Sequence, residues 1–180
     1  MFSRLKYLYL AHLSKPVGDR ALYRAIGRRK PRKILELGLG FPDRTLRMIE
    51  LASRQSAGEA IRYVAVDLFE ARTADKQVLA LKEAHRVLKP SGAQVQLIPG
   101  TPAAALPRTA NALANMDLVL ISAEHDDAAL EAAWFYFPRM LHAGSLVLRE
   151  TQAADGQRQF VEIPAAEIAT RANSGRRRAA

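Results

Sequence analysis

The chain has 180 residues, 49% of them hydrophobic, with a formal net charge of +9 and no cysteine. This length and composition suit one globular domain with a sizeable core, and they exclude disulfides and thiolate metal sites. No apolar stretch reaches the ~20 residues that a helix needs to span a bilayer, and we expect a cytoplasmic protein.

The positive charge is concentrated at the start of the chain. Residues 1–33 hold ten basic residues and one acid, Asp19, whereas the remaining chain is balanced. Such a segment favours nucleic acid, anionic lipid or an acidic partner, although a solvated helix face gives the same pattern. We therefore treat residues 1–30 as a basic helical N-terminal extension, with nucleic acid or another polyanion as its candidate partner.

Two short helices are predicted in this extension. Met1 to Leu13 is amphipathic and ends before Pro16. Asp19 to Ile26 forms the second helix, which Gly27 caps. The first helix has neither the uninterrupted apolar core nor the cleavage site of a secretory signal.

From Pro31 onwards, strand-like and helix-like segments alternate. Strands are predicted at Lys33–Leu37, Tyr63–Asp67, Val95–Ile98, Leu118–Ile121 and Ser145–Leu148. Helices are predicted between them at about 44–54, 75–88, 101–113 and 126–140, with Asp43 or Thr45 as the N-cap of the first. The repetition predicts one α/β domain over residues 31–165: a Rossmann-like, doubly wound, mostly parallel sheet with helices on both faces.

The pattern weakens after Glu150. Phe160 to Ile163 is one candidate edge strand. Residues 166–180 end in an arginine-rich run, and we expect them to form a flexible basic tail.

Two strand ends carry residues that suggest a nucleotide-type ligand. The first strand runs into Glu36-Leu37-Gly38-Leu39-Gly40, and the second ends in Asp67. Gly-x-Gly after a strand makes a tight turn with no side chain between the backbone and a ligand. An acid at the end of the next strand can accept hydrogen bonds from both ribose hydroxyls. Together these features predict an adenosine-containing cofactor at the carboxyl ends of the strands.

In this order and spacing, the segments resemble the class I S-adenosylmethionine-dependent methyltransferases, and in particular the small O-methyltransferases. The resemblance covers about residues 31–150 and rests on the segments Glu36–Gly40, Val64–Phe69, Gly100–Pro102, Met116–His125 and Leu141–Ser145. It implies S-adenosylmethionine as the cofactor and methyl transfer to an unidentified small-molecule acceptor.

The resemblance also implies which residues bind the cofactor. The turn after the first strand contacts the methionine part of the cofactor, and the acid after the second strand contacts its ribose. The segment Gly100–Pro102 lies beside its adenine, and the tip of the fourth strand faces its methyl group. The corresponding positions are Glu36, Gly38, Gly40, Asp67, Leu68, Thr101, Pro102 and Ser122.

The fourth strand tip also holds the candidate catalytic residues. His125 is a candidate general base for a hydroxyl or amine acceptor, with Glu124 as a neighbouring carboxylate that orients it. The same stretch reads equally as a helix start, in which Asp126 and Asp127 serve as caps.

The sequence departs from the family pattern in ways that keep a second interpretation open. The third glycine of the first motif is missing, since Phe41-Pro42 follows Gly40, and Thr101 and Ser122 replace acidic residues. Arg149-Glu150 replaces an Asp-Asn pair, so a three-carboxylate magnesium site is not available and we expect no metal. The alternative is a catalytically degenerate fold that serves as a binding module for nucleic acid or another anionic partner. A nicotinamide dehydrogenase fits less well, because a third fingerprint glycine and a Tyr-x-x-x-Lys motif are absent.

Overall fold

A computed structural model describes residues 2–56, 59–72, 79–154 and 156–176. Its centre is a six-stranded sheet in the order β3-β2-β1-β4-β5-β6. The strands are β1 Lys33–Leu37, β2 Arg62–Asp67, β3 Gln94–Pro99, β4 Met116–Ile121, β5 Leu141–Gln152 and β6 Arg158–Glu162. Neighbouring strands are parallel except β5 and β6, which are antiparallel. The predicted Rossmann-like, mostly parallel sheet is therefore confirmed.

Helices cover both faces of this sheet. They are α1 Phe2–Leu8, α2 Asp19–Arg29, α3 Pro42–Gln55, α4 Leu81–Leu88, α5 Pro102–Thr109, α6 Asp127–Trp134, α7 Phe137–Met140 and α8 Ala165–Arg176, and a π-helical turn, Tyr9–Leu13, follows α1. Among the helices of the described residues, none has the length and apolarity needed to cross a membrane.

Side chains at alternate positions along the strands pack into two separate hydrophobic cores, because successive side chains of a strand point to opposite faces of the sheet. On β1, Ile34 packs with helices α2, α3 and α4 through partners such as Leu22, Met48 and Leu88. Its neighbour Leu35 packs on the other face, against residues of α5 to α8. Burial on both faces explains why the strands read as continuous apolar runs rather than as alternating ones.

Several helix bounds differ from the predictions: the helix predicted at 101–113 ends at Thr109, and the one predicted at 126–140 is divided into α6 and α7. Helix α2 continues through Gly27 to Arg29 and is ended by Lys30, whose φ of 49° lies in the left-handed region. Helix α3 begins at Pro42 after an extended Phe41, without a side-chain cap. The predicted caps of α3 are thus wrong, and the predicted helix at 75–88 has its described part at Leu81–Leu88, since 75–78 lie outside the described residues.

The flexible tail expected from residue 166 is wrong for the part that the structure describes. Residues up to 176 belong to helix α8, whose Ile168 and Ala172 are buried. Arg171 donates to Asp127 at 2.9 Å, and its guanidinium lies 5.1 Å from the ring centroid of Trp134. Apolar residues four positions apart therefore dock this segment on α6 despite its arginines. The domain boundaries at 30 and 165 stay predictions.

Candidate functional site

Backbone hydrogen bonds join the carboxyl ends of the central strands into one edge. The Gly38 N–H donates to the Val66 carbonyl at 2.8 Å, and the Ser122 N–H donates to the Leu37 carbonyl at 2.9 Å. Because the strands are parallel, the residues that follow β1, β2 and β4 emerge side by side. The predicted site residues of these separate segments thus lie together.

The turn after β1 requires glycine at its first position. Gly38 has φ of 87°, and a Cβ there would lie 2.4 Å from Glu124 Oε1 and 2.7 Å from Ser122 Cβ. Gly40 is less constrained, since the nearest atom to a Cβ there is Arg44 Nη2 at 3.9 Å. Gly38 therefore allows a close approach of backbone and the β4 tip, whereas Gly40 leaves open space beside it.

Asp67 already has a full set of hydrogen-bond donors. The Leu39 N–H donates to its Oδ2 and the Phe69 N–H to its Oδ1, both at 2.6 Å. Arg72 donates two further hydrogen bonds, from Nε to Oδ1 at 3.1 Å and from Nη2 to Oδ2. An ionised carboxylate offers about four lone-pair sites. No site remains for two ribose hydroxyls while Arg72 is in this position.

Arg72 also holds the predicted catalytic carboxylate. Its Nη2 donates to Glu124 Oε1 at 2.8 Å and its Nη1 to Glu124 Oε2, with the Arg72 side chain only 9% exposed. Burial lowers the pKa of Arg72, but hydrogen bonding and charge from Asp67 and Glu124 outweigh it and raise the pKa. Arg72 thus bridges the β2 and β4 tips. Sequence reasoning missed it, because no motif marks an arginine five residues after the strand.

Glu36 lies in a buried network rather than at the open edge. It is 1% exposed, and its Oε2 accepts from Tyr63 Oη at 2.6 Å and Thr45 Oγ1 at 2.9 Å. Arg44 Nη2 lies 3.4 Å from its Oε1. Burial raises the pKa of Glu36, against the opposing charge of Arg44. The Glu36 side chain thus ties β1 to β2 and α3, and its place among the cofactor-binding positions stays a prediction.

The predicted adenine-side residues lie next to Asp67 at the end of β3. The Gly100 N–H donates to the Asp67 carbonyl at 2.8 Å. Thr101 Oγ1 accepts from the Ala104 N–H at 3.2 Å and caps helix α5. Pro102 is buried in the first turn of that helix, and Leu68 is half-exposed beside Asp67. Thr101, Pro102 and Leu68 are therefore linked to a ligand at Asp67 only by their position next to it.

His125 and Glu124 lie side by side at the β4 tip. His125 is 8% exposed, and its Nε2 is 3.9 Å from Glu124 Oε1. The Glu124 carboxylate also pairs with Arg72 on the β2 side, and its role as the group that orients His125 stays a prediction. Asp126 Oδ1 accepts from the Ala129 N–H at 2.7 Å, which confirms its predicted role as a helix cap.

Two cavities meet at this edge. The smaller, of about 500 Å³, is lined by Gly40, Phe41, Arg72, Ser122, Glu124 and Arg158. The larger, of about 850 Å³, lies between the N-terminal extension and the start of α3. Phe41 and Arg158 line both, with the guanidinium 4.7 Å from the ring centroid. Both volumes fall in the range of small-molecule sites.

A buried ion network forms the floor of the larger cavity. Arg44 Nη1 donates to Glu150 Oε1 at 2.8 Å, and Arg158 Nη1 lies 3.6 Å from the same oxygen. Asp19 lines this cavity too, and burial raises its pKa, with Arg44 acting in the opposite direction. Within the described ranges, no group of three or more His, Cys, Asp or Glu residues could hold a metal ion.

No protein-family model and no curated protein sequence matches the chain. Solved structures do match it in fold. An O-methyltransferase from Bacillus cereus in complex with SAH is 16% identical, with a TM-score of 0.57 over 87% of this chain and 69% of that one. The O-methyltransferase TomG from Streptomyces achromogenes, in complex with SAM, is 17% identical, with a TM-score of 0.54 over 97% and 74%.

A putative O-methyltransferase from Klebsiella pneumoniae is 16% identical, with a TM-score of 0.55 over 98% of this chain and 74% of that one. At sequence identities this low, structural similarity is evidence for the fold alone. The chain therefore has the class I methyltransferase fold, with its candidate site at the edge where that fold places ligands.

Proposed function

We propose that the chain is an S-adenosylmethionine-dependent methyltransferase that acts, without a metal, on a small-molecule acceptor. One observation carries the proposal: the glycine turn at Gly38 delivers the Leu39 N–H onto Asp67 at the tip of the next strand, at 2.6 Å, beside a cavity of about 500 Å³. Solved structures with this fold, in complex with SAH or SAM, support the choice of cofactor.

The site fits this cofactor on one condition. Gly38 lets the β4 tip approach the turn, where a Cβ would meet Glu124 and Ser122, and Gly40 leaves open space beside the backbone. Asp67 is oriented by two backbone N–H groups and offers its oxygens at the strand tip. Arg72 occupies the remaining acceptor positions. Cofactor binding therefore requires Arg72 to leave Asp67 while it keeps Glu124 as a partner.

The protein has a limited chemical task once the cofactor is bound. The sulfonium supplies an activated methyl group, so alignment of donor and acceptor and exclusion of water account for most of the catalysis. In this proposal Asp67 holds the ribose and the Gly38–Gly40 turn admits the methionine part near Ser122. His125, buried at the same tip, takes the acceptor's proton.

The larger cavity is the candidate acceptor site. It adjoins the smaller cavity, since Phe41 and Arg158 line both. Independence from metal is supported by Glu150, whose oxygens are engaged by Arg44 at 2.8 Å and by the Ala123 N–H at 3.3 Å.

Isothermal titration calorimetry with S-adenosylmethionine and its demethylated product tests the proposal. Asp67→Ala removes the ribose partner and should weaken binding by about 1.5–3 kcal/mol, roughly tenfold or more. Glu83→Ala, on the solvent-facing side of helix α4, is the control and should leave affinity unchanged. Absence of binding to the unaltered chain at millimolar ligand would overturn the enzyme proposal and leave the non-catalytic binding module.

A further inference from the structure

The N-terminal extension presents an apolar ridge to solvent. The ridge consists of large apolar side chains that are between 50% and 67% exposed: Leu5, Leu8, Tyr9 and Leu13. Elsewhere among the described residues, Val17, Phe41, Leu68 and Val161 are the exposed large hydrophobic side chains. Val17 and Phe41 line the larger cavity and Leu68 adjoins Asp67, whereas no ridge residue lines either of the two cavities described above. Contiguous exposed apolar surface of this kind marks an interaction site.

The ridge is not the unpacked core side of its helix. The inward side is already occupied, because Leu10 and Ala11 are buried and Leu10 belongs to the core with Leu22. Lys6 Nζ pairs with Glu50 Oε2 at 2.5 Å and fixes α1 on α3. Leu5, Leu8 and Tyr9 are spaced at i, i+3 and i+4, so they share the outer face.

Unpaired cations accompany the ridge in the same extension. The exposed members are Arg4, Lys15, Arg24, Arg28, Arg29 and Lys30. Across the part of the chain that the structure describes, none of these cations has an acidic partner within 4 Å among the ion pairs of the fold. Residues 1–33 carry ten basic residues against one acid. An apolar helix face in a strongly basic segment is the combination that binds in the interface of an anionic bilayer.

We propose that the N-terminal extension docks on an anionic lipid surface, with the apolar ridge in the headgroup region and the cations on lipid phosphates. Nucleic acid explains the cations but gives an exposed leucine ridge no role, because its affinity comes from phosphate contacts. A second copy would bring two strongly basic segments together, and like charges oppose such contact. The proposal is independent of the methyltransferase function.

Flotation of the full chain with lipid vesicles tests this proposal. Vesicles of phosphatidylcholine containing phosphatidylglycerol should bind the chain at low salt, and vesicles of phosphatidylcholine alone should bind it at least about tenfold more weakly. Added salt should reduce binding to the anionic vesicles, because lipid charge is screened within a Debye length.

Variants separate the apolar contribution from the charge. Leu8→Gln with Leu13→Gln removes apolar area without changing the net charge and should reduce vesicle affinity by roughly tenfold or more, because each leucine buries apolar area in the bilayer. Val161→Gln, at a comparably exposed apolar position on β6, is the matched control and should bind like the unaltered chain. Arg24→Gln with Arg28→Gln leaves the ridge intact and should weaken binding to anionic vesicles only. Circular dichroism and a melting curve check that each variant is folded.

Three outcomes would overturn the proposal. The first is no binding of the full chain to anionic vesicles at low salt. The second is vesicle binding that the ridge variant leaves unchanged. The third is a dimer by light scattering that the ridge variant abolishes, without vesicle binding, which would assign the ridge to a second copy. Binding to a short RNA or DNA duplex that ignores the ridge variant, with no vesicle binding, would assign the cations to nucleic acid.

Discussion

Replacing Arg72 by glutamine should increase the affinity for S-adenosylhomocysteine. Arg72 supplies two of the four donors that fill the Asp67 carboxylate, through Nε at 3.1 Å and Nη2. The Leu39 and Phe69 N–H groups remain in Arg72→Gln, so Asp67 keeps its orientation and regains two free acceptor positions. A ligand that competes with Arg72 then binds without first displacing it.

The size of the gain follows from what the unaltered chain must break. Hydrogen bonds to a charged group contribute roughly 1.5–3 kcal/mol, which corresponds to about a 10- to 100-fold change in affinity. Arg72 keeps Glu124 as a partner after it leaves Asp67, with Nη2 to Oε1 at 2.8 Å. We therefore expect the lower end, about tenfold.

Calorimetric titration of S-adenosylhomocysteine into three chains measures this gain. Arg72→Lys keeps the charge but loses the two-pronged contact, so its affinity should lie between the unaltered chain and Arg72→Gln. Arg86→Gln, on the exposed helix α4, is the control. Equal or weaker binding by Arg72→Gln would refute the reasoning, because Arg72 would then not compete for the ribose site.

Three further predictions concern the turn, the core and pH. Gly38→Ala should abolish cofactor binding and lower the free energy of unfolding by about 1 kcal/mol or more, since φ is 87° and the added Cβ clashes. Gly40→Ala should fold normally. Calorimetry measures cofactor binding by the two variants, and urea unfolding measures their stability. Tyr63→Phe should lower the free energy of unfolding by about 1.5–3 kcal/mol, because Glu36 loses a 2.6 Å hydrogen bond while buried. Burial raises the pKa of Asp19 above 3.8, so its ionisation costs stability as pH rises past that value; Asp19→Asn should therefore be more stable than the unaltered chain near neutral pH, and the two should converge in acid.

The central strands could be predicted more closely than β5, which was predicted at Ser145–Leu148 and spans Leu141–Gln152. A strand buried on both faces is mostly apolar, and β1 was predicted at its observed bounds, Lys33–Leu37. The sheet edge where the site lies follows from the parallel order, so Gly38 and Asp67 were correctly expected on neighbouring strand tips. Each of these inferences needs only the residues of one segment and its position in the sheet.

The errors come from contacts between distant segments. The partners of Glu36 are Tyr63 from β2 and Arg44 from α3, and neither partner is visible as a local pattern. Arg72 joins Asp67 to Glu124, and Glu124 lies 52 positions after Arg72 in the chain. Helix α8 was missed because its arginines suggested a solvated tail, although Ile168 and Ala172 carry a helical spacing.

A crystal structure of the chain with S-adenosylhomocysteine tests the central claim most directly. We expect both ribose hydroxyls on the Asp67 carboxylate, the methionine part beside the Gly38–Gly40 turn, and the Arg72 guanidinium displaced from Asp67 onto Glu124. A ligand bound elsewhere while Arg72 stays on Asp67, or crystals that take up no ligand at millimolar concentration, would contradict it.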